Sequence, residues 1–234
     1  MSSGYSLEGL NAAVDGRIAR GDYRGALELA RAFVAREADT ASALLLEINL
    51  AEAEYNLGRW TEAWDRLRGL DPLAAAFPIA RAGLSQQRAW IAAHTGPPSE
   101  ALHHWHRAEL GDLPRRYYAE HFFTGAVAQI AAGNLEVADR CARAGERAAV
   151  RVSSRRNALA IRGRVAAAMH EWTEAERLFR SAALHPYRGQ GGDALLRWGD
   201  VLSRLGRLEE ARHAYELALE RDPQSESAQL ARMR

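Results

Sequence analysis

The chain contains no lysine. All 31 of its Lys and Arg positions are arginine, and against 30 Asp and Glu they leave a formal net charge of +1. No global field therefore draws the chain toward nucleic acid or an anionic surface. A single cysteine, Cys141, excludes an internal disulfide framework and any multi-cysteine metal site, and it suits a reducing compartment. No apolar run approaches the roughly eighteen residues of a membrane span. The opening MSSGYSLEGL has neither a basic segment nor an apolar core, so it does not read as a secretory leader. The expectation is a cytoplasmic chain with no membrane contact. Alternation of period two is missing throughout, which argues against strands. Enzyme signatures are missing as well. There is no phosphate-cradling glycine loop after a strand, no Gly-x-Ser-x-Gly elbow and no His-Glu-x-x-His, and the GQGG at 189–192 lies between helical stretches. The chain is expected to be non-catalytic and to need no cofactor.

What the chain does have is a period. Gly21, Gly58, Gly96, Gly133, His170 and Gly206 recur at intervals of 37, 38, 37, 37 and 36 residues. Five residues after each stands an alanine: Ala26, Ala63, Ala101, Ala138, Ala175 and Ala211. Self-similarity at such a spacing marks a solenoid, in which one helix pair cannot bury its apolar face alone and stacked neighbours supply the core. Alanines in register are the close-approach points between helix backbones.

Each unit reads as helix A, a tight turn at the marker, and helix B. The pairs are expected near 7–20 and 23–36, 41–57 and 60–69, 79–94 and 98–110, 115–132 and 135–149, 153–169 and 172–184, and 192–205 and 208–221. The whole chain, 1–234, is expected to be one all-α solenoid domain with repeats over 7–37, 41–72, 79–112, 115–150, 153–186 and 192–223, closed by a cap or tail over 224–234. Punctuation agrees with this phasing. Asp39-Thr40 offers an N-cap, Pro98 suits a first helical turn, and Asp71-Pro72, Leu113-Pro114, His185-Pro186 and Asp222-Pro223 fall where helices should stop. The glycine-rich stretch 186–193 reads as a hinge.

The last unit, LLRWGDVLSRLGRLEEARHAYELALERDP at 195–223, closely resembles a tetratricopeptide repeat. The matching positions are Leu195, Trp198, Gly199, Leu202, Gly206, Leu208, Ala211, Tyr215, Ala218 and Pro223. The fifth unit follows at Leu159, Gly163, Trp172, Ala175, Phe179 and Ala182, and the first four match more loosely. A spacing of 36 to 38 departs from the family's 34, so the connections carry extra residues. The resemblance implies a right-handed superhelix whose concave wall, built from helices A, receives a peptide or a partner's helix. It also implies that Trp60, Trp105, Trp172 and Trp198 are core residues.

On that phasing the concave wall presents Asn11, Asp15, Asn49, Glu52, Gln86, Trp90, Phe123, Arg164 and Arg197. Amides donate and accept together, as a peptide backbone requires, and aromatic rings receive apolar side chains. The same amides also suit mutual pairing along the wall, and Trp90 suits ordinary packing. Family members that grip a terminal carboxylate use lysines for it. Here Arg164 and Arg197 would have to take that part, with Asn49 or Asn157 on the backbone.

A second reading rests on charge. Between Arg140 and Arg164 eight arginines stand against one acid, Glu146, a local charge of +7. Arg140, Arg143, Arg147 and Arg151 step by three and four along one face, continuing into Arg155 and Arg156. Such a stripe suits nucleic acid or an acidic protein, or is simply a solvated outer face. His103, His104 and His106, with His94 and His121, read as surface histidines, since no carboxylate or cysteine completes a metal shell. Exposed apolar edges at the two ends of a stack allow a homodimer.

Overall fold

The computed structural model describes residues 6–31, 41–185 and 192–234. The expected Asp39-Thr40 cap and most of the 186–193 hinge lie outside them. Fourteen α-helices follow in order: α1 Leu7–Ala19, α2 Tyr23–Arg31, α3 Ala41–Asn56, α4 Trp60–Leu67, α5 Asp71–Ala74, α6 Pro78–Thr95 and α7 Pro98–Arg107. Then come α8 Tyr118–Ala131, α9 Leu135–Ala148, α10 Val152–Ala168, α11 Trp172–Ala183, α12 Gly192–Arg204, α13 Leu208–Arg221 and α14 Glu226–Ala231. Apart from the short α5 and α14 they pack as antiparallel pairs, each against the next, and no strand occurs among the described residues.

The turns explain the marker residues. Gly21, Gly58, Gly133 and Gly206 have φ of 75 to 78°, and His170 has φ 61°. In each case the next N–H reaches back five residues, as Asp22 does to the Arg17 carbonyl at 2.9 Å and Glu171 does to Ala166 at 2.9 Å. That left-handed residue and its six-to-one bond satisfy carbonyls left open at the end of helix A. Gly96 departs from the series, with φ −113° and ψ −175°. Pro97 follows it, and a proline drives the preceding residue out of the α region into extended backbone.

The alanines in register occupy the backbone contacts. Ala26, Ala63, Ala101, Ala138 and Ala175 are fully buried and Ala211 nearly so. The extra residues in the period have a visible home. Helix α5 and the 3₁₀ turns Leu110–Asp112 and Arg115–Tyr117 sit between pairs, where the sequence suggested longer B helices or a longer start to α8. These inserts are tied down by one buried and one part-exposed arginine of α6. Arg88, on α6, bonds the Asp71 carboxylate and the Leu67 carbonyl, and Arg81 pairs with Asp112.

The C-terminal segment does more than cover the last pair. The apolar side of α14, with Leu230 and Ala231, packs with Leu195, Leu196 and Ala218. Its polar side reaches the first two pairs. The Tyr23 hydroxyl donates to Asp222 at 3.0 Å, the Trp60 indole N–H to Glu226 at 2.6 Å, and the Gln229 amide to the Leu57 carbonyl at 3.3 Å. The two ends of the solenoid therefore meet, and the concave side becomes a cavity that stays partly open to solvent.

Candidate functional site

The concave side holds a partly open cavity of about 280 Å³. Its wall comes from the A helices. Helix α3 supplies Glu52 and Tyr55, α6 supplies Gln86, Gln87, Trp90 and His94, α8 supplies Glu120 and Phe123, α10 supplies Arg156 and Arg164, and α12 supplies Asp193 and Arg197. Positions 86, 90 and 94 are four apart, so helical geometry puts them on one face. Tyr23 and Trp60 close the cavity from the first two B helices, and Asp222, Ser225, Glu226 and Leu230 close it from the C-terminus.

Aromatic rings run along one side. Tyr55 stacks on Trp60 at 5.4 Å, Trp60 on His94 at 5.2 Å, and His94 lies against Trp90 at 5.1 Å. The Arg164 guanidinium ends the column, 5.6 Å over the Trp90 ring, where the ring quadrupole attracts a cation. Hydrogen bonds set the protonation of His94. Its Nδ1 faces the Trp90 carbonyl at 2.8 Å and its Nε2 faces Arg164 Nη2 at 3.0 Å. An arginine has only donors, so Nε2 accepts and Nδ1–H donates, which leaves the ring neutral. Burial, and then the Arg164 charge, push the His94 pKa down to about 4.

Arg164 itself makes no ion pair among the described residues. Burial first, and Arg197 second, lower its pKa to about 10, with Asp193 opposing. Arg197 Nε donates to Asp193 at 3.3 Å. Burial alone would raise the Asp193 pKa, but Arg197 and Arg164 bring it below the ordinary carboxylate value. The Asp193 side chain lines the cavity and remains substantially exposed to solvent. Two carboxylates of the C-terminal segment behave differently. Burial raises Asp222 and Glu226 above the usual range, only partly offset by Tyr23 and Trp60. The cavity therefore carries charges of both signs, with Arg164, Arg197 and Asp193 toward Trp90 and Asp222, Glu226 and Arg156 toward Tyr23 and Trp60. Gln86 Nε2, Glu120 Oε2 and Asp222 Oδ1 are buried with no hydrogen-bond partner among the described residues.

Of the wall residues expected from sequence, Glu52, Gln86, Trp90, Phe123, Arg164 and Arg197 line this cavity, whereas Asn11, Asp15 and Asn49 do not. Asn11 donates to the Ser42 carbonyl and accepts from Asn49, both at 2.8 Å, so the two amides join α1 to α3. Asp15 is exposed. Trp90 packs against the cluster around Phe123 and Val127 while its ring faces Arg164.

Four expectations need correction. Arg156 does not continue the outer stripe. It is buried and turns into the cavity. Arg140, Arg143, Arg147, Arg151 and Arg155 are exposed, but Arg143 pairs with Asp139, Arg151 with Glu120 and Arg162 with Glu146, so acids from the same and neighbouring helices offset the local excess. Trp60 is a cavity residue as much as a core one, and His104 and His121 are buried rather than on the surface. Sequence reasoning also missed Tyr23, His94, Asp193, Asp222 and Glu226. His94 alone was within reach, because it continues the 86–90 step on α6.

Comparison with known proteins agrees with this architecture. A tetratricopeptide repeat family model matches residues 192–225. The crystal structure of a tetratricopeptide repeat protein from Parabacteroides merdae shares the fold with a TM-score of 0.50 and 17% identity, over 92% of this chain and 79% of that one. No curated protein matches. No helix among the described residues is long and apolar enough to cross a membrane. The last hairpin and its cap thus carry a tetratricopeptide repeat, and the stack as a whole shares the fold of a tetratricopeptide repeat protein.

Proposed function

We propose that this chain works as a single protein-binding unit over 1–234, a cytoplasmic scaffold or adaptor that holds a segment of another protein in its concave cavity. It acts by binding rather than by catalysis. One observation carries the reading: Trp90, Phe123, Gln86, Arg164 and Arg197, from four successive A helices, converge on one cavity. Within it a guanidinium without a carboxylate partner and a buried amide N–H without an acceptor face the interior. A buried unpaired donor costs about 1–3 kcal/mol, and a peptide's carbonyls and carboxylates supply what is missing. The aromatic column gives an apolar side chain its place.

The test is site-specific cross-linking. A photo-reactive phenylalanine derivative in place of Gln87, at the cavity edge, should capture one partner segment in the native cell. Trp90→Ala and Arg164→Gln should abolish that capture, while changing Arg140, Arg147 and Arg151 together to Ser should leave it intact. The opposite pattern, with a steep fall of binding in salt, would assign function to the outer arginines as contacts to nucleic acid or an acidic protein.

A further inference from the structure

The seam between the two ends of the solenoid has a polar half and an apolar half. Leu230 and Ala231 hold α14 to the last pair through apolar packing. Facing the first two pairs, the segment offers carboxylates four residues apart, Asp222 and Glu226, to the Tyr23 hydroxyl and the Trp60 indole N–H. The backbone there is shaped for close approach. A Cβ built on Gly21 would lie 3.2 Å from Asp222 Oδ1, and one on Gly58 would lie 3.5 Å from Glu226 Cγ. These are the left-handed turn glycines of the first two pairs, so their structural place and their contact with the C-terminal acids coincide.

This polar half is not a tightly satisfied joint. Asp222 keeps one buried oxygen without a partner among the described residues, and no salt bridge among those residues crosses from the C-terminal acids to the first two pairs. Each carboxylate has one neutral donor, and although Arg156 acts on Asp222 and Arg197 on Glu226, burial outweighs these charges and leaves both pKa values raised, so desolvation offsets most of what the hydrogen bonds supply. An incoming segment with the same carboxylate spacing can replace them at little cost. The apolar half, meanwhile, keeps α14 attached to the last pair.

We infer that residues 222–234 are an internal occupant of a carboxylate-accepting face on the first two pairs, and that the partner segment admitted to the groove is an acidic helix presenting two carboxylates one turn apart to Tyr23 and Trp60. The inference rests on the groove reading above and adds to it the partner's chemistry and a closed state that the partner opens.

The experiment uses the full chain and a fluorescently labelled peptide copying residues 220–234. Fluorescence anisotropy should show weak binding to the wild type, whose own segment fills the face. The double variant Asp222→Ala, Glu226→Ala, which removes the internal acceptors, should bind the peptide at least about tenfold more tightly. A peptide with those two carboxylates replaced by amides should lose that gain. Adding Trp60→Phe to the double variant should remove the receiving N–H and the binding with it, with helical circular dichroism confirming the fold. Tyr23→Phe serves in its place if Trp60→Phe does not fold. Equal binding to wild type and double variant, undiminished binding of the amide peptide, or no binding to either protein overturns the inference. So does a wild-type dimer in which the C-terminal segments are exchanged between copies. A cross-linked partner that Trp90→Ala releases, yet that binds wild type and double variant alike, overturns the internal occupant and leaves the groove reading standing. A partner that Trp90→Ala retains overturns the groove reading itself.

Discussion

The Tyr23 hydroxyl donates to the Asp222 carboxylate at 3.0 Å across 199 residues of chain. Tyr23 opens the first B helix, at the turn marked by Gly21, and Asp222 follows the last one. With the Trp60–Glu226 and Gln229–Leu57 bonds, the Tyr23–Asp222 bond brings the first and last pairs of the stack together around a cavity that stays partly open to solvent.

Tyr23→Phe should destabilise the protein by about 1–3 kcal/mol, the cost of leaving a buried acceptor without its donor. Asp222 already has its other oxygen unpartnered, so the substitution strips the carboxylate of its remaining bond in the seam. Urea denaturation of the two proteins at neutral pH measures the difference. A change within a few tenths of a kcal/mol would mean that the seam carries no stability.

Acid should weaken the fold in a defined window. His94 has a folded pKa of about 4, against 6.5 for the free side chain. Its folded state favours the neutral ring, so its contribution is complete above pH 6.5 and declines as the pH falls toward 4. A shift of that size is worth up to about 3 kcal/mol. His104, lowered to about 4 by burial and by Arg88, acts in the same window. Asp222 and Glu226 have raised folded pKa values, so they oppose the loss. Their contribution is present at low pH and is lost as the pH rises through their folded values. His94→Gln should therefore flatten the stability profile between pH 6.5 and 4, whereas Asp222→Asn with Glu226→Gln should steepen the decline on acidification. Melting temperatures across that range test both signs.

Arg164→Met should raise stability by about 1 kcal/mol while abolishing partner binding. The guanidinium is part-buried over Trp90, and its pKa is lowered by burial and by Arg197, so its charge is a cost to the folded state. Replacing a buried charge with an apolar side chain of similar length is often neutral or stabilising. Thermal unfolding and cross-linking yield together separate the two effects. A stability loss of several kcal/mol would instead make Arg164 a structural residue.

His170→Gly should raise stability by about 1 kcal/mol. His170 is the one non-glycine residue with positive φ among those described, at 61°, and a side chain there clashes with the backbone at a cost of about 1–2 kcal/mol. Glycine's greater freedom in the unfolded chain returns part of that gain, and the edge contact of His170 with Trp172 is lost. Calorimetry of the single variant decides the sign.

Most of the fold was legible in the residues. Apart from the end of α2, whose expected residues 32–36 lie outside the described ones, the helix ends fall within about three residues of the expected positions, because caps, turns and apolar stripes act within a few residues of chain. Five of six markers adopt one turn geometry. Gly96 does not, and the reason stood next to it in Pro97. The inserts at Asp71–Ala74 and Leu110–Asp112 were foreshadowed by a period longer than the family's, but their helical form was not. Their stability depends on Arg88 and Arg81 reaching back from α6. The cavity was half legible. Phasing placed Trp90, Phe123, Arg164 and Arg197 on one wall, but it also placed Asn11 and Asn49 there, which the structure pairs with each other.

The sequence alone determined the helices, the turns and the register of alanines, since each depends on hydrogen bonds and packing between residues near in the chain or one repeat apart. Tertiary structure decided that Arg156 faces inward, that Trp60 meets Glu226, and that the stack closes on its own C-terminus. Those outcomes depend on the small rotation between neighbouring pairs, summed along the solenoid. No local pattern records that sum, and a modest change per repeat would carry Tyr23 and Asp222 out of reach of each other.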